Sequence, residues 1–470
     1  MLGSLDHRRN LRRILTAVSG LLVLGAPDRL AAQRAELQKV LQRKVLANGM
    51  EVIVLENHGV PLATVEINVR NGSFTQGPGY EGLAHMYEHM FFKANGELPR
   101  PDEFISRASE LGAVFNAQTQ EERVNYYMTL PKDSVEGAVQ IMAAALRDPK
   151  FLREELERER QVVLGEYDRN ESNPLFTLSA AMDRLLYPGQ FGRKNVIGER
   201  AVLATVTPEK LREIQRKYYI PNNSVLIVTG DVNPNQIFAL AEAAFGDWKP
   251  GPDPFKADPI PPIPALARDT AIISERPVNA VTVYVRWQGP SVRKDPAATF
   301  AADVLSDALN QSVSTFQRRL VDTGLFQSVS FNYYTLDQVG PISVLGQTTP
   351  ENLKEALAAL DQEINQLADP GYITLEQLES TKAERAVSTA FGMDRASDFS
   401  HTLGFWWSVA DLEYYMGYLD NMAKQTLQDV QGYARKYIVG KPRVMGVQLD
   451  PESRKKLGLT TADLRRRVVQ

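Results

Sequence analysis

The sequence predicts an α+β protein built from two homologous repeats, each a largely antiparallel sheet with helices packed on one face. Three observations lead there. At 470 residues the chain exceeds what a single ordinary core organises. A proline-dense run, KPGPDPFKADPIPPIPALARD at 249–269, carries seven prolines between Pro250 and Pro264. Fixed φ and missing amide donors disfavour helix and central strand there, so the run is expected to be a stiff, extended linker. The flanking segments also repeat each other. TPEKLREIQRKYYIPNNSVLIVTGDVNP from Thr207 and TLQDVQGYARKYIVGKPRVMGVQLDPE from Thr426 each read as an amphipathic helix, an Arg-Lys-Tyr, a turn, and an apolar strand ending in Asp. The expected organisation is a signal peptide at 1–32, an N-terminal domain at 33–248, a linker at 249–268, a homologous C-terminal domain at 269–456 and a tail at 457–470, whose last run DLRRRVVQ reads as solvated.

The elements follow in order. HRRNLRR is a basic leader, Ile14–Ala26 is a short apolar run, and LAAQ offers a small-residue cut between Ala32 and Gln33. The apolar run falls short of the ~20 residues that span a bilayer, so a secretory signal is expected, with no membrane insertion after its removal; an uncleaved anchor and an Arg-rich organelle presequence are the alternatives. Residues 49–57 and 62–70 alternate apolar and polar side chains, the pattern of strands in a half-covered sheet. PDEFISRASELG at 101–112 reads as a helix with Pro near its start and Gly at its end. Residues 113–131 read as a hairpin, and 134–148 as a strongly apolar helix. The second half opens as the first does, on a strand, VTVYVRWQG from Val281, ahead of a helix.

Composition narrows the function. Apolar residues at 43% and charged residues at 23% fit a globular chain, and a net charge of −4 offers no field for nucleic acid. With no cysteine, disulfides, thiolate metal sites and cysteine nucleophiles are excluded.

The chemistry concentrates in GLAHMYEHMFFKANG, residues 82–96. Two of the five histidines in the chain, His85 and His89, fall here. On a helix they are i and i+4 and share a face, with Glu88 bordering it. A histidine pair at this spacing is more often a surface accident. Here the apolar flanks imply a buried helix, and buried imidazoles beside a carboxylate need compensation that a metal supplies. The order is H-x-x-E-H, the inverse of the H-E-x-x-H zinc motif. A catalytic zinc site takes a third protein ligand. No further histidine is well placed, so a carboxylate is expected. In EELERERQVVLGEYDRNESNP, residues 154–174, Glu166 interrupts an apolar patch and Glu159 lies two turns earlier on the same face. Glu166 fits as ligand and Glu159 as its outer partner.

With these residues in hand, the chain resembles the pitrilysin/insulinase family of zinc peptidases, most of all its small processing-peptidase-like members, among them the mitochondrial processing peptidase β subunit. The helix at 82–96, the segment ERQVVLGEY, the spacing between His89 and Glu166, the hairpin GAVFNAQTQEERVNYY and the two-repeat layout carry the resemblance. It implies one Zn2+ per chain, held by His85, His89 and Glu166, with manganese or cobalt as substitutes. Glu88 would assist attack by zinc-bound water and pass the proton to the leaving amine, and Glu159 would orient the site. Asn116, Ala117 and Thr119 would lie on an edge strand that pairs with extended peptides. One departure stands out. Family members complete in one catalytic unit carry an Arg and a Tyr seven apart in the C-terminal repeat, and aligned on Gly324 those positions hold Leu320 and Gln327. The resemblance therefore implies a peptidase subunit whose partner, a homologous zinc-free chain, supplies the Arg/Tyr pair. A non-catalytic chamber subunit is the alternative. The expected location is the bacterial periplasm or outside the cell.

Overall fold

The computed structural model describes residues 39–392 and 396–465. The signal segment at 1–32 lies outside the described residues, as do the last five residues of the tail. In the N-terminal half, β1 (Leu41–Val45), β2 (Glu51–Glu56), β3 (Leu62–Val69), β4 (Val114–Thr119), β5 (Val124–Pro131) and β6 (Ser224–Gly230) form one sheet in the order β1-β2-β6-β3-β5-β4. Its principal helices are α1 (Leu83–Phe91), α2 (Glu103–Glu110), α3 (Val135–Arg147), α4 (Arg153–Ser172), α5 (Pro174–Leu186), α6 (Pro208–Tyr218) and α7 (Pro234–Phe245). In the C-terminal half, β7 (Thr270–Glu275), β8 (Val281–Gln288), β9 (Ser328–Tyr333), β10 (Pro341–Thr348) and β11 (Val444–Leu449) run in the order β7-β11-β8-β10-β9. Its principal helices are α8 (Pro296–Asn310), α9 (Leu353–Gln366), α10 (Leu375–Gly392), α11 (Ala396–Val409) and α12 (Leu427–Tyr437). The repeat is plain in the order: β3-α1 through α6-β6 matches β8-α8 through α12-β11.

Both sheets are largely antiparallel, as expected. The exceptions are β2 with β6 and β7 with β11, which pair in parallel. Parallel pairs cannot be closed by a hairpin, and each last strand returns from a helix, which leaves it free to run parallel to one neighbour. The expected helix at 101–112, hairpin at 113–131 and helix at 134–148 are present as α2, β4–β5 and α3.

Three expectations are corrected. The sheet was expected to be half covered, yet Thr64, Glu66 and Asn68, the polar positions of β3, are fully buried. The covering element is α11, from the other half. Its Phe399, Leu403 and Trp407 pack on Ile53, Leu55, Val225 and Ile227. Polar groups cross that contact: Glu66 accepts from Asn68 and Asn125 in its own sheet and from Ser400 on α11, and pairs with His401 at 2.6 Å. Satisfied in this way, a polar face can be buried. The arrangement is reciprocal, because Leu178, Met182 and Leu186 of α5 pack against Val444 of the second sheet.

The proline-rich run contains one helical turn, Pro254–Ala257. Pro254 sits at the first helical position, where no amide donor is needed, and Asp253 caps the turn. The last run, DLRRRVVQ from Asp463, was expected to be solvated, but its Leu464 is buried in the C-terminal core, as is Leu459 just before it.

Candidate metal centre and active site

Helix α1 is built to be held rigid. Leu83, Met86, Tyr87, Met90 and Phe91 are buried in the core of the N-terminal half. Tyr87 stacks on Tyr219, and Phe91 on Tyr126, at ring distances of 3.9 and 3.6 Å. The helix starts at Gly82, whose φ of 90° is left-handed and suits glycine. A Cβ on Gly82 would come within 2.7 Å of the Ile197 carbonyl, and one on Gly198 within 2.3 Å of the Gly82 Cα. These glycines let segment 195–198 lie directly against the start of α1. The Gln76 side chain completes the junction, accepting from the Gly82 amide at 2.8 Å and donating to the Gly192 carbonyl at 3.0 Å.

The remaining face of α1 carries His85, Glu88 and His89. Across from it, α4 presents Glu159 and Glu166. The Nε2 atoms of His85 and His89 are 3.3 Å apart, and Glu166 Oε2 lies 3.5 and 3.6 Å from them. Tetrahedral coordination at about 2.0–2.1 Å places neighbouring ligand atoms about 3.3–3.4 Å apart. The three atoms thus stand at the separations that a shared zinc-sized ion requires, and His85, His89 and Glu166 are the one group of this kind among the described residues. Burial, and then His89, push the His85 imidazolium down to about 3, so that ring is neutral with a lone pair to offer.

The outer partners are unequal. Burial acts to lower the His89 pKa, but Glu159, Glu88 and Glu166 outweigh it and raise the pKa overall. Glu159 Oε2 lies 3.1 Å from His89 Nδ1, and Lys93 Nζ lies 2.6 Å from Glu159 Oε1. Burial works to raise the Glu159 carboxyl, but bonds from His89 and Lys93 hold it below the usual range. An ionised Glu159 keeps the His89 proton on Nδ1 and leaves Nε2 free for an ion. His85 Nδ1, by contrast, is buried with no hydrogen-bond partner among the described residues.

Glu88 points into the cleft beside this cluster. Burial raises its carboxyl above the usual range, and Thr119 Oγ1 donates to its Oε2 at 2.6 Å. Thr119 and Ala117 lie on β4, the outer strand of the sheet, and line the cleft with His85, Glu88 and Glu166. Asn116 does not line it. Strand alternation exposes this residue, and its Oδ1 accepts from the Ala117 amide. The cleft has a volume of ≈ 450 Å3, and its far wall comes from α5 and from residues 191–197.

That wall escaped sequence reasoning, since nothing local marks it. Lys93 escaped as well, although its place one turn beyond His89 was a usable signal. Leu320 and Gln327, the departures in the C-terminal half, bring no function to the cleft. Leu320 is fully buried, and Gln327 is exposed with its amide bonded to Gln347.

Comparison with known proteins agrees with this geometry. Residues 51–188 match the family described as Insulinase (Peptidase family M16), and residues 205–385 match Peptidase M16 inactive domain. The zinc protease PqqE of Helicobacter pylori is 26% identical over 441 residues, covering 91% of this chain and 93% of that protein. The mitochondrial-processing peptidase subunit beta of Dictyostelium discoideum is 28% identical over 204 residues, 43% of each chain, so the match spans less than half of that relative. Among solved structures, a protease from Helicobacter pylori superposes with a TM-score of 0.76 at 21% identity, covering 87% of this chain and 99% of that one. The first half of the periplasmic protease PqqL from Escherichia coli gives a TM-score of 0.73 at 18% identity, covering 91% and 95%. Two family matches in tandem, one on each half, and a shared two-sheet architecture place this chain in peptidase family M16.

Proposed function

We propose that this chain is a zinc-dependent metalloendopeptidase subunit acting on unfolded peptides, with His85, His89 and Glu166 as ligands and Glu88 as the proton-transfer group. The observation that carries the reading is the 3.3–3.6 Å triangle of ligand atoms with Glu88 beside it in one cleft. A zinc ion bound there supplies Lewis acidity that polarises a peptide carbonyl and acidifies water. The protein supplies the rest. The open edge of β4 pairs with an extended peptide through backbone hydrogen bonds, which demands little of its sequence. Glu88 accepts the proton of the attacking water as the C–O bond forms, and delivers it to the amide nitrogen as the C–N bond breaks. Thr119 holds the Glu88 carboxylate in place, and Glu159 with Lys93 fixes the His89 ring. Burial tunes Glu88 toward both roles, since raising its carboxyl makes the carboxylate a stronger base for water and brings acid and base forms closer to balance near neutral pH.

The C-terminal half supports a split site. Arg319 is engaged by Glu363 and Gln366, and the Tyr333 hydroxyl donates to the Pro290 carbonyl. Neither is free to replace the Arg/Tyr pair missing at Leu320 and Gln327. We therefore assign that pair to a homologous zinc-free partner. Export to the periplasm fits the leader at 1–32 and the periplasmic relative, and no helix among the described residues is long and apolar enough to cross a membrane.

The test is hydrolysis of a quenched fluorescent peptide library by residues 33–470, alone and with a co-expressed homologue. Glu88→Gln should lower turnover about 10²–10⁴-fold with bound zinc unchanged. Zinc binding without activity under any pairing would instead make the chain a chamber subunit. Full activity of the chain alone would remove the partner.

A further inference from the structure

The cleft beside the metal cluster has two walls. Ala117, Gln118 and Thr119 of β4 form one, and α5 with residues 191–197 forms the other. Both walls end against a single loop of the C-terminal half, residues 334–340 between β9 and β10. On the β4 side, Glu122 stands in the turn that follows Thr119 and accepts from the Asp337 and Gln338 amides at 2.8 and 2.6 Å. On the far side, Lys194 donates to the Gln338 and Val339 carbonyls at 2.5 and 3.1 Å. Consecutive residues of one loop thus hold one wall through their amides and the other through their carbonyls. They belong to the half that contributes none of His85, His89 and Glu166.

The loop is held in a strained conformation. Val339 has a φ of 59°, in the left-handed region where a β-branched residue is an outlier. Such a residue persists only where its surroundings over-determine it. Here those surroundings come from the N-terminal half. The Val339 side chain packs against Leu178, Met182 and Leu186 of α5, and the Tyr187 hydroxyl lies 3.5 Å from its carbonyl oxygen, beside Lys194. The preceding residues are anchored in the loop's own half: Asp337 accepts from the Ser291 hydroxyl at 2.8 Å and lies 3.7 Å from Arg293. Gly340 closes the turn so tightly that a Cβ there would collide with the Tyr334 carbonyl oxygen. The loop is stiff, and it is fixed at once to its own half and to both walls of the cleft.

The N-terminal half ties the walls from one side only. The Ser73 and Phe74 amides donate to the Gln120 and Glu121 carbonyls at 3.3 and 2.9 Å, and the Ser73 hydroxyl donates to the Arg193 carbonyl at 3.0 Å. The loop supplies a second, independent brace. We propose that loop 334–340 is a clamp which, through Glu122 and Lys194 as positioning residues, fixes the separation of the two cleft walls and so limits the size of the peptide side chain that fits between them. The proposal rests on the peptidase reading for the peptide. It gives the C-terminal half a part in specificity that needs no contact between the loop and substrate.

The test perturbs the loop at a residue that touches neither wall. Gly340→Ala forces the turn to shift, and amide hydrogen exchange of the whole chain is followed by mass spectrometry. Residues 120–123 and 191–197 should both exchange about tenfold faster than in the wild type, while α1 keeps its rate. Unchanged exchange in either wall overturns the proposal. Should Gly340→Ala fail to fold, Asp337→Ala, which frees the loop from Ser291 and Arg293, is judged by the same segments. Specificity is then read by anisotropy, in the presence of a chelator, with fluorescein-labelled extended peptides that carry alanine or tryptophan at one position, moved stepwise. At one position the tryptophan-to-alanine affinity ratio should rise about tenfold in the loop variant. Loss of stability alone would weaken all the peptides together. An unchanged ratio at every position, or no binding at all, overturns the proposal. Walls that loosen together with a shifted ratio, in a chain that never hydrolyses a peptide, defeat the peptidase reading and leave the clamp standing. A chain that hydrolyses peptides while its walls ignore the loop does the reverse.

Discussion

The two halves place the same pair of helices against each other and put opposite chemistry on them. In the N-terminal half, α1 and α4 bring His85, His89 and Glu166 together. In the C-terminal half the corresponding pair, α8 and α10, brings Asp303, Asp307 and Arg385 together. Each first helix offers its groups at i and i+4, and each second helix answers with a charged residue. In one half the answering charge is negative, so the cluster is one that could hold an external cation. In the other it is a guanidinium carried by the chain itself, and an ion pair fills the place where a metal would sit. Duplication thus preserves the scaffold, and a few side chains decide whether the junction is a reagent or a strut.

The largest effect should come from the first cluster. His89→Ala should weaken metal binding beyond the about 10–100-fold that outer partners contribute, measured as metal content after dialysis. Asp303→Asn should leave that content unchanged. Metal lost from both variants would end the distinction between the halves. Next, Arg385→Met should leave two half-buried carboxylates without their cation, costing about 1.5–3 kcal/mol of stability in denaturant unfolding. Little change there would mean that the C-terminal cluster is not the strut described. Within the first cluster, Glu159→Gln should reduce metal affinity about 10–100-fold in a chelator competition. Lys93→Met acts only through Glu159 and should cost less. If Lys93→Met equals Glu159→Gln, the lysine does more than hold the carboxylate.

The smallest effect concerns how the halves hold one another. Glu122, in the turn between β4 and β5, is buried and accepts from the Asp337 and Gln338 amides at 2.8 and 2.6 Å. Lys194 grips the same loop from the other side, donating to the carbonyls of Gln338 and Val339. Burial pushes the Glu122 carboxyl up to about 7. A folded-state pKa raised above the unfolded value means that its contribution is fully present at low pH and is lost as pH rises through about 7. Glu122→Gln should therefore flatten the decline in melting temperature between acid and neutral pH. An unchanged profile would show that Glu122 does not govern it.

Much of the site was legible because its signals are local. His85, Glu88 and His89 share one helix face through backbone geometry alone, and Glu159 and Glu166 lie two turns apart for the same reason. The hairpin at 113–131 and the repeated Arg-Lys-Tyr segments are likewise short-range patterns. Lys93 was available by the same logic and was missed because a single lysine after an apolar run looks like an ordinary solvated residue.

What the sequence by itself determined is therefore the pair of repeats, the helix that carries the two histidines, its partner helix and the edge strand beside them. What only the tertiary structure decided is who covers whom. The alternation of Thr64, Glu66 and Asn68 looks like a solvated sheet face, because periodicity reports the polarity of a face and not what arrives to meet it. That face is buried under α11, more than three hundred residues away, with Ser400 and His401 bonded to Glu66. The reciprocal packing of α5 on the second sheet and the segment 191–197 that closes the cleft share this character. Each depends on contacts between distant segments that become favourable only once both halves have folded, and no short window of sequence contains both partners.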